Sequence, residues 1–91
     1  MAKTIEEIKD RLASLSLSES EALLTEFLEE QPKSAEGHFL LGNLFRKQEL
    51  WDRALNEYLV AMDLDPSSPA AAAYEMSQRI LNFYDHNRYN Q

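Results

Sequence analysis

Two histidines, His38 and His86, are the only side chains in this 91-residue chain suited to moving a proton near neutral pH. A catalytic histidine needs a nucleophile or carboxylate within hydrogen-bond reach, and a metal-binding one needs further ligands at helical spacing. Neither histidine has such a partner at helical spacing. His38 is expected to pack inside a helical hairpin, and His86 to be solvated near the C-terminus. The two glycines, Gly37 and Gly42, fall within one helix, so no glycine-rich phosphate loop is available. Ser18, Ser34 and Ser68 are read as helix caps rather than nucleophiles. Glu26, Glu29 and Glu30 read as an exposed face rather than paired acid–base carboxylates. Trp51 reads as a packing residue at a helix start. With no cysteine, disulfides and thiolate metal sites are excluded, which fits a reducing compartment. The expectation is a chain without catalysis, cofactor or metal.

Five helices follow from start signals and apolar spacing. Thr4 with Glu7 is a capping-box arrangement that opens a helix with Ile5, Ile8, Leu12 and Leu15 on one narrow stripe. Ser16 and Leu17 form a break, and Ser18 with Glu21 opens the second helix. That helix carries Leu23, Leu24, Phe27 and Leu28 and stops before Pro32, because a residue preceding proline is pushed out of the helical region. Ser34 caps the third helix, which carries Phe39, Leu40, Leu41, Leu44 and Phe45. Asp52 caps the fourth, which runs to Pro66. Ser68 caps a fifth, with Pro69 at its first position and Met76, Ile80 and Tyr84 toward the core; the segment 85–91 is expected to fray. No segment alternates with period two. The predicted fold is therefore all-α, a stack of antiparallel helical hairpins.

Composition sets the partner class. The formal net charge of −7 repels phosphates, so nucleic acid and anionic membranes are not expected partners. Hydrophobic residues make up 44% of the chain, ordinary for a folded domain. No apolar segment is long enough to cross a bilayer, and a cytoplasmic location is expected. A chain of this length buries only about 60–65% of its unfolded surface, so the core is thin and self-association is a live alternative.

Laid against itself, the sequence repeats at 34 residues: Leu17 with Trp51, Ser20 with Ala54, Leu24 with Tyr58, Pro32 with Pro66 and Ser34 with Ser68. The second unit resembles the tetratricopeptide repeat. Leu41-Gly42, Phe45, Ala54, Tyr58, Ala61 and Pro66 stand at that family's spacing. His38 replaces the motif's tryptophan, and the turn at Gln48-Glu49-Leu50 lacks the customary glycine. The resemblance implies a right-handed stack of the hairpins and one domain over residues 1–91: a degenerate first repeat over 1–34, a well-matched repeat over 35–68, and a capping helix with tail over 69–91.

The same resemblance implies a concave groove lined by the first helix of each hairpin. Its residues in the central unit are Glu36, Phe39, Asn43, Arg46 and Lys47. Helical spacing independently places Phe39, Asn43 and Arg46 on one stripe, away from Leu41 and Phe45. Lys3, Glu6 and Asp10 flank it on one side, and Tyr74, Gln78 and Leu81 on the other. Asn43, Arg46 and Lys47 resemble part of the carboxylate clamp of some relatives, but Phe39 stands where that clamp often has lysine. The expected surface is instead an apolar patch around Phe39, Tyr74 and Leu81, rimmed by Arg46 and Lys47. The function expected is protein or peptide binding. The alternatives are a homodimer with no foreign ligand and a non-catalytic subunit of an enzyme complex.

Overall fold

The computed structural model describes residues 4–89, with side chains described through Phe83. Five helices follow one another: α1 (Ile5–Leu12), α2 (Leu17–Glu30), α3 (Ala35–Lys47), α4 (Trp51–Leu64) and α5 (Ala70–Tyr89). No strand occurs among the described residues. The limits of α2 and α4 lie 34 residues apart at both ends, so the sequence period is also a structural one.

Local chemistry sets the helix starts. The Thr4 hydroxyl accepts from the Glu7 amide at the head of α1. At α2 the Ser16 hydroxyl accepts from the Glu19 amide, while the Glu19 carboxylate accepts from the Ser16 amide. The bond donated by the Ser16 amide favours the charged carboxylate and holds Glu19 below its ordinary pKa. The second capping box is thus Ser16/Glu19 and not Ser18/Glu21: α1 ends at Leu12, Leu15 lies in the turn, and α2 starts one residue before Ser18. Ser34 caps α3 through the Gly37 amide. Asp52 does not cap α4; it lies in the first turn, where its charge complements the helix dipole, and Leu50 occupies the cap with no side-chain bond. Ser68 accepts from the Ala70 amide just ahead of α5, with Pro69 immediately before the helix.

The turn from α3 to α4 is tight. The Glu49 amide donates to the Arg46 carbonyl and the Leu50 amide to the Phe45 carbonyl, the paired bonds of a Schellman C-cap. That motif needs a left-handed residue, and Glu49 supplies it at φ 61°.

Packing runs between successive helices: α2 on α3, α3 on α4, α4 on α5, with α1 held more lightly on α2. The pairing of α3 with α4 is antiparallel: Phe45 near the end of α3 lies under Arg53 at the start of α4, and His38 near the start of α3 reaches Glu57. Ile8, Leu24, Phe27, Leu41, Phe45 and Tyr58 belong to one buried cluster that threads the stack. Gly42 is required where α3 crosses α4, because an added Cβ would lie 2.6 Å from Cε1 of Tyr58.

The last helix departs from expectation. Met76 is 50% exposed rather than facing the core, and Ser77 beside it is fully buried. The helix turns Ala70, Ala73, Tyr74 and Ser77 toward α4, which leaves Met76 outward. Ile80 is half-buried, and the side chain of Tyr84 lies outside those described. The helix continues to Tyr89, five residues past the expected end, while residues 90 and 91 lie outside the described part.

Candidate functional site

The central helix α3 carries five of the sequence-predicted groove residues, and the fold gives them different surroundings. Phe39 is half-buried, packs on the core, and lies with its ring 6.0 Å from that of Tyr58 at 41°. Asn43 and Arg46 are half-buried and Lys47 is exposed. Glu36 is exposed and bonded to Lys9 of α1 at 2.8 Å, which holds the Lys9 ammonium above its ordinary range. Glu36 is thus engaged within the chain.

Two hollows open along this helix. One, of about 270 Å³, lies between the start of α3 and the α4–α5 turn and is lined by Glu36, Phe39, Asp65, Ser68 and Pro69. The other, of about 220 Å³, lies where α1, α2 and the far end of α3 meet. Its walls include Leu12, Leu15, Leu24, Leu40 and Leu44, and its rim carries Asn43, Arg46 and Lys47. The stripe Phe39–Asn43–Arg46 leads from one hollow to the other.

The polar rim is ordered from within. The fully buried Tyr58 donates its hydroxyl proton to Asn43 Oδ1 at 2.6 Å. Burial raises the Tyr58 pKa, because the phenolate would be desolvated, and the nearby Arg46 guanidinium opposes this through its charge and a hydrogen bond. Tyr58 donates to Asn43, so the Asn43 amide presents its oxygen toward the ring and its NH₂ away from it. No carboxylate lies within salt-bridge distance of Arg46 or Lys47 among the described residues.

The third group of predicted residues sits apart. Tyr74 is half-buried against the core, Leu81 is half-buried, and Gln78 is exposed; none lines either hollow. The patch expected around Phe39, Tyr74 and Leu81 is thus partly spent on packing. Glu6 and Asp10 are exposed on α1, and Lys3 lies outside the described residues.

Sequence reasoning missed one constellation. His38 Nδ1 lies 2.7 Å from Glu57 Oε1, and its Nε2 lies 2.9 Å from the Pro32 carbonyl. Both partners come from other elements, so spacing along one helix could not reveal them. The ring ties the α2–α3 turn to α4. Among the described residues no group of three or more metal-ligating side chains gathers, and no helix is long and apolar enough to cross a membrane.

These features define an all-α protein built from successively packed helical hairpins. The chain is similar to Bacteroides fragilis protein BF1650, whose structure was determined in solution by NMR, at 38% sequence identity and a TM-score of 0.79. The match covers 98% of this chain and 91% of that one, so the chain belongs to the same family as BF1650. No protein-family model and no curated protein matches it.

Proposed function

We propose that this chain is a non-catalytic protein-interaction module of the tetratricopeptide type, which holds a segment of a partner protein along the groove face of α3. The observation that carries this reading is the stripe Phe39–Asn43–Arg46, half-exposed on the central helix and joining two hollows. The 34-residue offset of α2 and α4 and the close passage of Gly42 beneath Tyr58 support the repeat reading, since both are what that motif demands.

The test is a selection of displayed peptides on the immobilised chain, followed by binding of the selected peptides to the R46E/K47E variant. Retained helix content with weakened binding is the expected result. Unchanged binding to the double variant would remove α3 as the docking face.

A second reading, a homodimer, is favoured by one observation. On α5, Met76 and Phe83 are 50% and 63% exposed, and that helix is electrically balanced by Glu75, Asp85, Arg79 and Arg88 in a chain of net charge −7. A second copy could approach this helix without like-charge repulsion. Light scattering over a wide concentration range separates the readings: a mass of 10.5 kDa throughout supports the module, and a stable doubling supports the dimer.

A further inference from the structure

We infer that the hollow between α1, α2 and the end of α3 takes an internal acidic segment of a partner protein, with one aliphatic side chain seated on the leucine walls and flanking carboxylates on the rim. This deepens the module reading above and rests on it.

The walls specify the anchor. Leu12, Leu15, Leu24, Leu40 and Leu44 offer apolar surface without aromatic rings, in a space of about 220 Å³ that suits one or two branched aliphatic side chains. The rim specifies the charge. Asn43 Oδ1 is already occupied by the Tyr58 hydroxyl, so Asn43 turns only N–H donors outward. Arg46 and Lys47 have donors and no acceptors. The side chains of the rim thus offer mainly donors, and an occupant that brings acceptors is favoured. Carboxylates fit best, because their bonds to cationic donors are roughly twice as strong as neutral ones.

The position of the cations adds to this. Arg46 and Lys47 close α3 at this rim, whereas on α1 Lys9 is bonded to Glu36 and Arg11 follows Asp10. Some of the charge on α3 offsets its negative helix end. The end of α3, however, carries only about half an elementary charge, against the two cations Arg46 and Lys47. A local positive surplus remains within a chain of net charge −7. None of the five glutamates of α2 forms an ion pair with Arg46 or Lys47.

The probes are fluorescein-labelled 12-residue peptides, acetylated and amidated so that no terminal carboxylate contributes. One carries leucine flanked by Asp and Glu. The others replace the acids with Asn and Gln, the acids with Lys, or the leucine with Ser. Binding is read by anisotropy, and location by amide shifts in ¹⁵N-labelled protein. The acidic leucine peptide is expected to bind, to move Leu12, Leu24, Leu40 and Asn43, and to weaken as salt rises. Each of the other peptides should bind about tenfold more weakly or worse, since a bond to a charged group is worth at least that factor. The K47Q variant, altered at an exposed side chain, should lose about tenfold with unchanged helix content, and R46Q/K47Q should lose more. Equal binding of the neutral or basic peptides, or shifts centred on Phe39 and Pro69 instead, overturns this inference and leaves the module reading standing. Silence from all four peptides also overturns it, and the peptide selection then decides the module reading separately.

Discussion

Tyr58 lays its ring across the bare Cα of Gly42, so closely that a methyl group there would sit 2.6 Å from Cε1 and 2.7 Å from Cδ1. The ring is fully buried and its hydroxyl is fixed on Asn43, so it has little room to move aside. The α3–α4 crossing is set by this contact. Overpacking of this kind costs about 1–3 kcal/mol, and replacing a helical glycine with alanine returns up to about 1 kcal/mol. G42A should therefore lower stability by about 1–2 kcal/mol in urea unfolding. G37A is the comparison: its new methyl would meet the flexible tip of Leu28 at 2.8 Å, with Phe27 Cε2 at 3.0 Å and the Ser34 hydroxyl at 3.1 Å, so it should cost less than G42A. Equal effects at the two glycines would show that the ring contact does not set the crossing.

Glu49 takes the left-handed position of the α3–α4 turn at φ 61°. A side chain with a Cβ is strained there, and glycine is not. E49G should raise stability by about 0.5–1 kcal/mol after the added flexibility of the unfolded chain is counted. A thermal melt measures it, and a fall in Tm would mean that Glu49 makes compensating contacts.

The Ser77 hydroxyl is fully buried on α5 and has no hydrogen-bond partner. A buried hydroxyl in that state costs about 1–3 kcal/mol relative to an apolar group of the same shape. S77A removes the oxygen and improves helix propensity, so it should stabilise the chain by about 1 kcal/mol or more. A destabilised S77A would imply that the hydroxyl is bonded in solution.

Much of this fold is legible in the sequence, because its signals are local or periodic. The 34-residue offset places α2 and α4, and Pro32 and Pro66 mark where they stop. The misread caps have a physical cause. Ser16 and Ser18 both precede a glutamate by three residues, and only packing chooses between them: starting at Leu17 keeps Ser20 and Leu24 inward. Met76 was misplaced because α5 has apolar residues on several faces, and only contact with α4 decides which of them turn inward. At the site, the Phe39–Asn43–Arg46 stripe is readable from spacing. The leucine walls are not, because α1, α2 and α3 contribute them jointly. The His38–Glu57 bond joins residues 19 apart and has no periodic signature.

Tyr58 ionises above its ordinary pKa of 10.0, chiefly because the buried phenolate would be desolvated. A group whose folded pKa is raised contributes stability that is fully present below the unfolded value and lost as pH rises through the folded one. Unfolding free energy should thus show no Tyr58 term at neutral pH and should fall above about pH 10. Y58F should lose that slope, at some cost from the vacated bond to Asn43. Absorbance titration at 295 nm reads the ionisation directly, with one of the tyrosines titrating late. A parent and a Y58F variant with identical alkaline slopes would contradict the assignment.

His38 spans two elements, with one ring nitrogen on the Glu57 carboxylate and the other on the Pro32 carbonyl. Its side chain is 15% exposed and that of Glu57 23%, so water screens the pair only in part. Removing either partner leaves the other poorly satisfied, and partly buried groups in contact couple by about 0.5–3 kcal/mol. A double-mutant cycle of H38A, E57A and the combination should return a coupling of about 1–2 kcal/mol. H38A alone should cost more than E57A alone, because it also frees the Pro32 carbonyl and removes the volume of a half-buried ring. H38W separates volume from bonding: it restores an aromatic ring but has one N–H donor and cannot reproduce both bonds, so it should recover only part of what H38A loses. A coupling near zero would mean that the histidine acts by volume alone, and H38W would then match or exceed the parent.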